Sequence, residues 1–184
     1  MKRAQALLFT AILLFSGAAA AADGIVEKFF GSFAGTTTWG AGLSPRDINV
    51  VIAPRGEGFT VAWDTISLRD PTKPKRKSHA VDLVATPHDN LFVAKAHLGR
   101  TDVPLASDPL KGALPKTPLV WARVENDTLS LYTLERTADG RADVQAYHRT
   151  LSGDRMKLHF IRYLEGKAVK QTKGKMRRTS GSPR

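Results

Sequence analysis

The sequence predicts an all-β protein: an antiparallel up-and-down meander closing into a barrel of eight to ten strands, entered through a short N-terminal helical turn. Three observations predict it. Helix signals are almost absent. Strand-length runs of β-branched and aromatic residues recur along the chain between Gly, Pro, Asn and Asp turns. The last five runs also follow one another through tight turns, so they need no crossover. About ten strands in a chain of 184 residues would leave costly edges in a flat sheet, and closure removes them. A two-sheet sandwich is the rival architecture, but sequential hairpins favour the barrel.

Met1-Lys2-Arg3, the apolar run Ala4–Phe15 and the small residues Ser16–Ala22 have the three-part form of a secretory signal peptide. The apolar run is short of the ~20 residues that cross a bilayer core, and no cysteine follows it for lipid attachment. Residues 1–22 are therefore expected to be removed near Ala22, leaving a periplasmic protein. Residues 23–178 are expected to form one barrel domain, and 179–184 a disordered basic tail.

Asp23–Phe30 reads as the helical turn, with Asp23 as its cap and Ile25, Phe29 and Phe30 on one side. Ser32–Trp39 is threonine-rich and extended. Asp47–Ala53 and Phe59–Leu68 are strands around the turn Pro54–Gly58. Ala80–Thr86 and Leu91–Ala96 flank Pro87–Asn90 as a hairpin. Leu98–Thr117, with Pro104, Pro109 and Pro115, carries no strand pattern and reads as a long loop of the kind that serves as a lid or binding loop. Leu119–Glu125, Thr128–Thr137, Asp143–Leu151, Met156–Leu164 and Ala168–Met176 complete the meander.

Without residues 1–22 the balance is 26 basic against 17 acidic residues. Two acid-free segments hold eleven of the basic ones: Lys73, Lys75, Arg76 and Lys77 in a loop, and Lys167, Lys170, Lys173, Lys175, Arg177, Arg178 and Arg184 at the C-terminal end. The remainder is nearly neutral. Localised positive charge attracts polyanions, which in an envelope compartment are phospholipid, lipopolysaccharide or peptidoglycan. We assign Lys73, Lys75, Arg76, Lys77, Lys173, Lys175, Arg177 and Arg178 to an anionic-surface contact. Nucleic acid is not expected, because there is no basic helix and no aromatic residues interleave with the lysines.

The absence of cysteine excludes disulfides, zinc-thiolate sites and thiol nucleophiles. The chain has no nucleophile elbow, Walker loop or dinucleotide fingerprint, so no enzyme activity and no cofactor are expected. Asp47, Asp64 and Asp82 lie on separate strands; an enzyme would need such acids to meet at the barrel rim. His79, His88 and His97 recur every nine residues, but direct hairpin pairing puts His79 and His97 on opposite faces. They are assigned to the surface or turns, and no metal site is expected.

A secreted meander that opens with a helical turn and then Gly35-Thr36-Thr37-Thr38-Trp39 resembles the calycin class of lipocalin-like barrels. Lipocalins place Gly-x-Trp on the first strand, so the spacing here is longer. The resemblance implies an interior cavity for a small apolar or amphipathic ligand, and a Trp39 packed beneath Lys175 or Arg177.

Tyr147 and Arg149 share a face of their strand. A two-residue turn at Ser152-Gly153 sets Arg149 opposite Met156 and Tyr147 opposite Leu158, with Arg162 continuing the stripe. A guanidinium and a phenol on an apolar wall suit a carboxylate or phosphate. Intracellular lipid-binding proteins, which resemble this architecture, use Arg-x-Tyr for fatty-acid carboxylates; the order here is reversed. Trp63 and Trp121 are candidate cavity aromatics. The expected function is thus a monomeric periplasmic carrier of a small amphipathic ligand, Tyr147, Arg149, Arg162, Trp63 and Trp121 being its ligand residues. The alternative is an envelope protein with a filled core.

Overall fold

The computed structural model describes residues 24–39, 46–67, 72–88, 90–97 and 117–180. The signal segment, residues 98–116 of the proline-containing loop and residues 181–184 of the tail lie outside the described residues.

Ten strands form one closed barrel. They are β1 (Gly31–Trp39), β2 (Arg46–Arg55), β3 (Gly58–Ser67), β4 (Lys75–Ala85), β5 (Leu91–Ala94), β6 (Leu119–Glu125), β7 (Thr128–Arg136), β8 (Ala142–Ser152), β9 (Arg155–Leu164) and β10 (Lys167–Ser180). Each pairs antiparallel with the next, and β10 returns to β1. Ten strands are two more than the eight of lipocalin barrels. The seam pairs Phe33 with Arg178, Gly35 with Met176 and Trp39 with Thr172. Gly35 is needed there: a Cβ would stand 2.0 Å from the Lys175 carbonyl oxygen and 2.7 Å from the Met176 Cα.

Hairpin turns set the register, and four of them open on a residue with positive φ: Gly56, Asn126, Gly153 and Glu165. Glycine and asparagine enter that region at little cost. Glu165 is held there by its carboxylate, which accepts from the Ala142 amide at 2.7 Å. Because Gly153 takes the first turn position, the β8–β9 turn is Gly153-Asp154 and Ser152 pairs with Arg155. The expected turn placed glycine second. The true pairing is shifted by two residues, so Arg149 faces Leu158, Tyr147 faces Phe160, and Gln145 faces Arg162.

Three boundaries also differ from expectation. β4 begins at Lys75, since Ser67, Ile66 and Thr65 of β3 offer hydrogen-bonding partners to the lysine run that was read as loop. β5 ends at Ala94 in a single 3-10 turn, Lys95–His97. β10 continues to Ser180 because Ser32 of β1 supplies a partner, so Thr179 and Ser180 belong to the strand and not to a disordered tail.

The helical turn, Gly24–Glu27, closes one end of the barrel. Val26 and Phe29 are buried in the core, with Ile25 and Phe30 packed beside them. Lys28 ties the turn to the β6–β7 hairpin, donating to the Asn126 carbonyl at 2.6 Å and the Asp127 carboxylate at 2.9 Å. Arg178 holds the other side. It donates to the carbonyls of Phe30 and, at 3.0 Å, Lys28, and its guanidinium lies 4.5 Å from the Phe33 ring centroid. Phe33, Val50, Phe59, Leu83, Leu129 and Met156 fill the barrel behind this plug. The core therefore occupies the closed half.

Candidate ligand-binding site

In the other half, alternation sends polar residues inward from strands whose lower ends carry the core. Met176 and Gly174 of β10 give way to Thr172 and Lys170, and Val61 of β3 to Trp63 and Thr65. With residues of β1, β2, β4, β8 and β9 they line a cavity of about 230 Å³.

Arg149 forms its floor, beside Ile48, Trp63 and Leu158. It is 1% exposed. Its guanidinium lies 5.4 Å from the Trp63 ring and 5.6 Å from the Tyr147 ring, within cation–π range of both. Nε and Nη1 are buried with no hydrogen-bond partner among the described residues, and so is the Thr172 hydroxyl. Burial pulls the Arg149 pKa well below the ordinary guanidinium value, to about 10, so the group remains a cation at neutral pH.

The Tyr147 hydroxyl donates to Gln145 Oε1 at 2.9 Å, and Gln145 Nε2 donates to Glu135 at 3.2 Å. The phenol proton is thus used within the wall. Burial, the largest cause, raises the Tyr147 pKa and keeps it neutral. Its contribution to the site is the ring, 4.7 Å from Phe160 and 5.2 Å from Trp63. Trp63 is in turn stacked on His79, centroids 5.0 Å apart.

Towards the rim the lining becomes cationic: Arg46 from β2, Lys77 from β4 and Lys170 from β10. Lys170 is pushed below the ordinary lysine pKa, first by burial and then by the charges of Arg46, Arg162 and Lys77, which shows how closely these groups converge. Among the described residues that line the cavity none is a carboxylate. Asp143, 1% exposed, lies on the adjoining rim and is engaged by Arg162 Nε at 2.9 and 3.0 Å.

The structure thus brings together Trp63, Tyr147 and Arg149. Arg162 continues the inward stripe opposite Gln145, but its guanidinium is committed to Asp143 and not to the cavity. Trp121 is on the outer face, stacked on Tyr132 at 5.2 Å, because its neighbours Ala122 and Val124 take the inward positions. The basic residues divide. Lys73 and Lys75 are exposed, and Arg76 pairs with Asp64, whose carboxyl its hydrogen bond holds below the ordinary range. Lys77 turns into the cavity mouth. Lys173, Lys175 and Arg177 are exposed on β10, whereas the Arg178 side chain is 6% exposed and is a structural tie. A β1 aromatic does lie beneath a basic side chain, Phe33 under Arg178; the side chain of Trp39 lies outside the described residues.

Sequence reasoning missed Arg46, Lys170 and Thr172 as lining residues; His79, assigned to the surface, is exposed and borders the cavity mouth. The signal for two of these was available: counting back by twos from Met176 puts Thr172 and Lys170 on its face. His79 and Arg46 required the pairing with Trp63 and Ser67. The acids Asp47, Asp64 and Asp82 do not line the cavity; Asp64 and Asp82 bind Arg76 and Arg55. Among the described residues no three of His, Asp or Glu are grouped to hold a metal.

No protein-family model matches this chain, and no curated protein matches it. Among solved structures, the crystal structure of Rv2717c from M. tuberculosis superposes with a TM-score of 0.51, covering 86% of this chain and 98% of that one at 15% identity. That likeness reaches the fold alone.

Proposed function

We propose that this protein binds a small anionic amphiphile, held with its acidic group on Arg149 and its apolar part against Trp63, Tyr147 and Phe160. The observation that carries this is the fully buried Arg149 guanidinium, whose Nε and Nη1 have no partner among the described residues, on the floor of a cavity. A buried, unpaired cation is costly to keep. A carboxylate or phosphate accepting from it would satisfy the orphan donors in a charge-assisted pair. The cationic rim of Arg46, Lys77 and Lys170 would raise the local concentration of such a ligand.

A cavity of about 230 Å³ lies below the ~300–1,000 Å³ typical of drug-sized sites, so it suits a compact aromatic acid or the head and first carbons of a longer acyl chain. This is a lipocalin-like use of a barrel with a different number of strands. The signal-peptide form of residues 1–22 supports a periplasmic location, and the role we propose there is carriage or sequestration.

A matched series tests the proposal by titration calorimetry: decanoate, decanol and decylamine, which share a chain and differ in head charge. Decanoate is expected to bind tightest and decylamine not at all. Equal binding of all three, or binding of none, would refute the role given to Arg149.

A further inference from the structure

On the outer face, β9 and β10 set like charges directly across from one another. Arg155 pairs with Arg177 and Lys157 with Lys175, and Lys173 continues the column opposite His159. All five Lys and Arg side chains are exposed, and none makes an ion pair with a described residue. Directly opposed like charges weaken a sheet, and alternation could have placed an acid at any of these outward positions. The flanks are neutral and mostly small: Ser152, Thr150 and His148 on β8, and Ala34, Thr36 and Thr38 on β1. Asp154, in the adjoining turn, lies 3.9 Å from Arg178, which is not part of the ladder.

The spacing is fixed by the fold. Successive rows stand about 6.7 Å apart along the strands and the two columns about 4.8 Å apart. A row of rings, Trp121, Tyr132, His148 and His159, leads across the same outer face to Lys173, with neighbouring centroids 5.2, 5.8 and 6.2 Å apart.

We infer that this ladder is a docking face for an anionic lipid bilayer. It has multivalent positive charge without a pocket, so it would read charge density and not shape. Trp and Tyr on the same face suit the polar–apolar boundary of a membrane. A strand of single-stranded nucleic acid would instead need ring faces open for base stacking, and here the Trp121 and Tyr132 rings stack on each other. The inference stands apart from the cavity, since Arg155, Lys157, Lys173, Lys175 and Arg177 all point away from it.

Cosedimentation with vesicles tests it, using phosphatidylglycerol–phosphatidylethanolamine against pure phosphatidylcholine, at about 0.05 and 0.5 M salt. Binding to the anionic vesicles at low salt, lost at high salt and absent with phosphatidylcholine, is the expected result. Lys157→Gln with Lys175→Gln should weaken it by about 25-fold, about fivefold per cation, whereas Lys157→Arg with Lys175→Arg should leave it intact. The Gln pair should also keep decanoate binding, and Arg149→Met should keep vesicle binding, so the two sites fail separately. No binding to anionic vesicles, equal binding by the Gln pair, or tighter binding to a thymidine oligonucleotide than to vesicles would overturn the assignment.

Discussion

Arg149→Met replaces the buried guanidinium with an unbranched apolar side chain that can follow the same path between Trp63 and Tyr147. If Arg149 is held for a ligand and not for the fold, the unliganded variant should be more stable than the wild type. A pKa drawn down from the ordinary guanidinium value to about 10 corresponds to a penalty of about 3 kcal/mol on the folded, protonated state. Against this, substitution forfeits the attraction of the cation to the two rings, about 1–2 kcal/mol. The net expectation is a gain of about 1–2 kcal/mol, or a rise in Tm of roughly 2–8 °C for a chain of this size. The sign with pH follows from the direction of the shift. Below about pH 10 the guanidinium is protonated in both folded and unfolded chains, so the penalty is fully present; it is relieved only as pH rises from there towards the ordinary guanidinium value. The gain should therefore be flat between about pH 5 and 9. Scanning calorimetry of both proteins, without and with decanoate, checks it. At about 100 times its Kd decanoate should stabilise the wild type by about 2.7 kcal/mol and leave Arg149→Met where it was. A variant destabilised by 1 kcal/mol or more, or one whose Tm still climbs with decanoate, would show that Arg149 serves the fold or that the ligand sits elsewhere.

Three other expectations follow from the same geometry. Decanoate affinity should fall at alkaline pH as Lys170, whose pKa is lowered, and Arg149, at about 10, lose their charge, and Lys170→Met should leave only the Arg149 step; calorimetry across alkaline pH measures it. Arg178→Ala should cost about 2–4 kcal/mol by leaving the Phe30 and Lys28 carbonyls without their donor and uncovering Phe33, whereas the exposed neighbour Arg177→Ala should change stability by less than about 0.5 kcal/mol in denaturant melts. Gly35→Ala should destabilise by more than about 2 kcal/mol, because its Cβ would meet backbone and not a side chain that can swing away, and urea unfolding would register the loss.

How much of this was legible in the sequence depends on which quantity each residue's place requires. Strand existence and hairpin order are local, and the turns Gly56, Asn126, Gly153 and Glu165-Gly166 mark them. The face a side chain takes is also nearly local, because it depends only on parity. The β8–β9 pairing differs from expectation by two residues, yet Tyr147 and Arg149 still point inward, since a shift of two preserves the face where a shift of one would reverse it. What parity cannot supply is the partner. Arg162 keeps the inward parity expected of it and faces Gln145, yet its guanidinium is taken by Asp143 on the diagonal, which makes a ligand candidate half of an ion pair. Arg178 and Arg177 are neighbours in one charge run, and composition treats them alike. Parity with Met176 separates them, sending one under the helical turn and the other into solvent. The cationic mouth was least legible of all. Arg46, Lys77, Lys170 and Arg149 come from β2, β4, β10 and β8, and only closure of the barrel through the β1–β10 seam makes them neighbours. A site assembled by ring closure leaves no motif in the chain; its trace is single basic residues on inward positions, each of which alone would be a poor choice for the inside of a barrel.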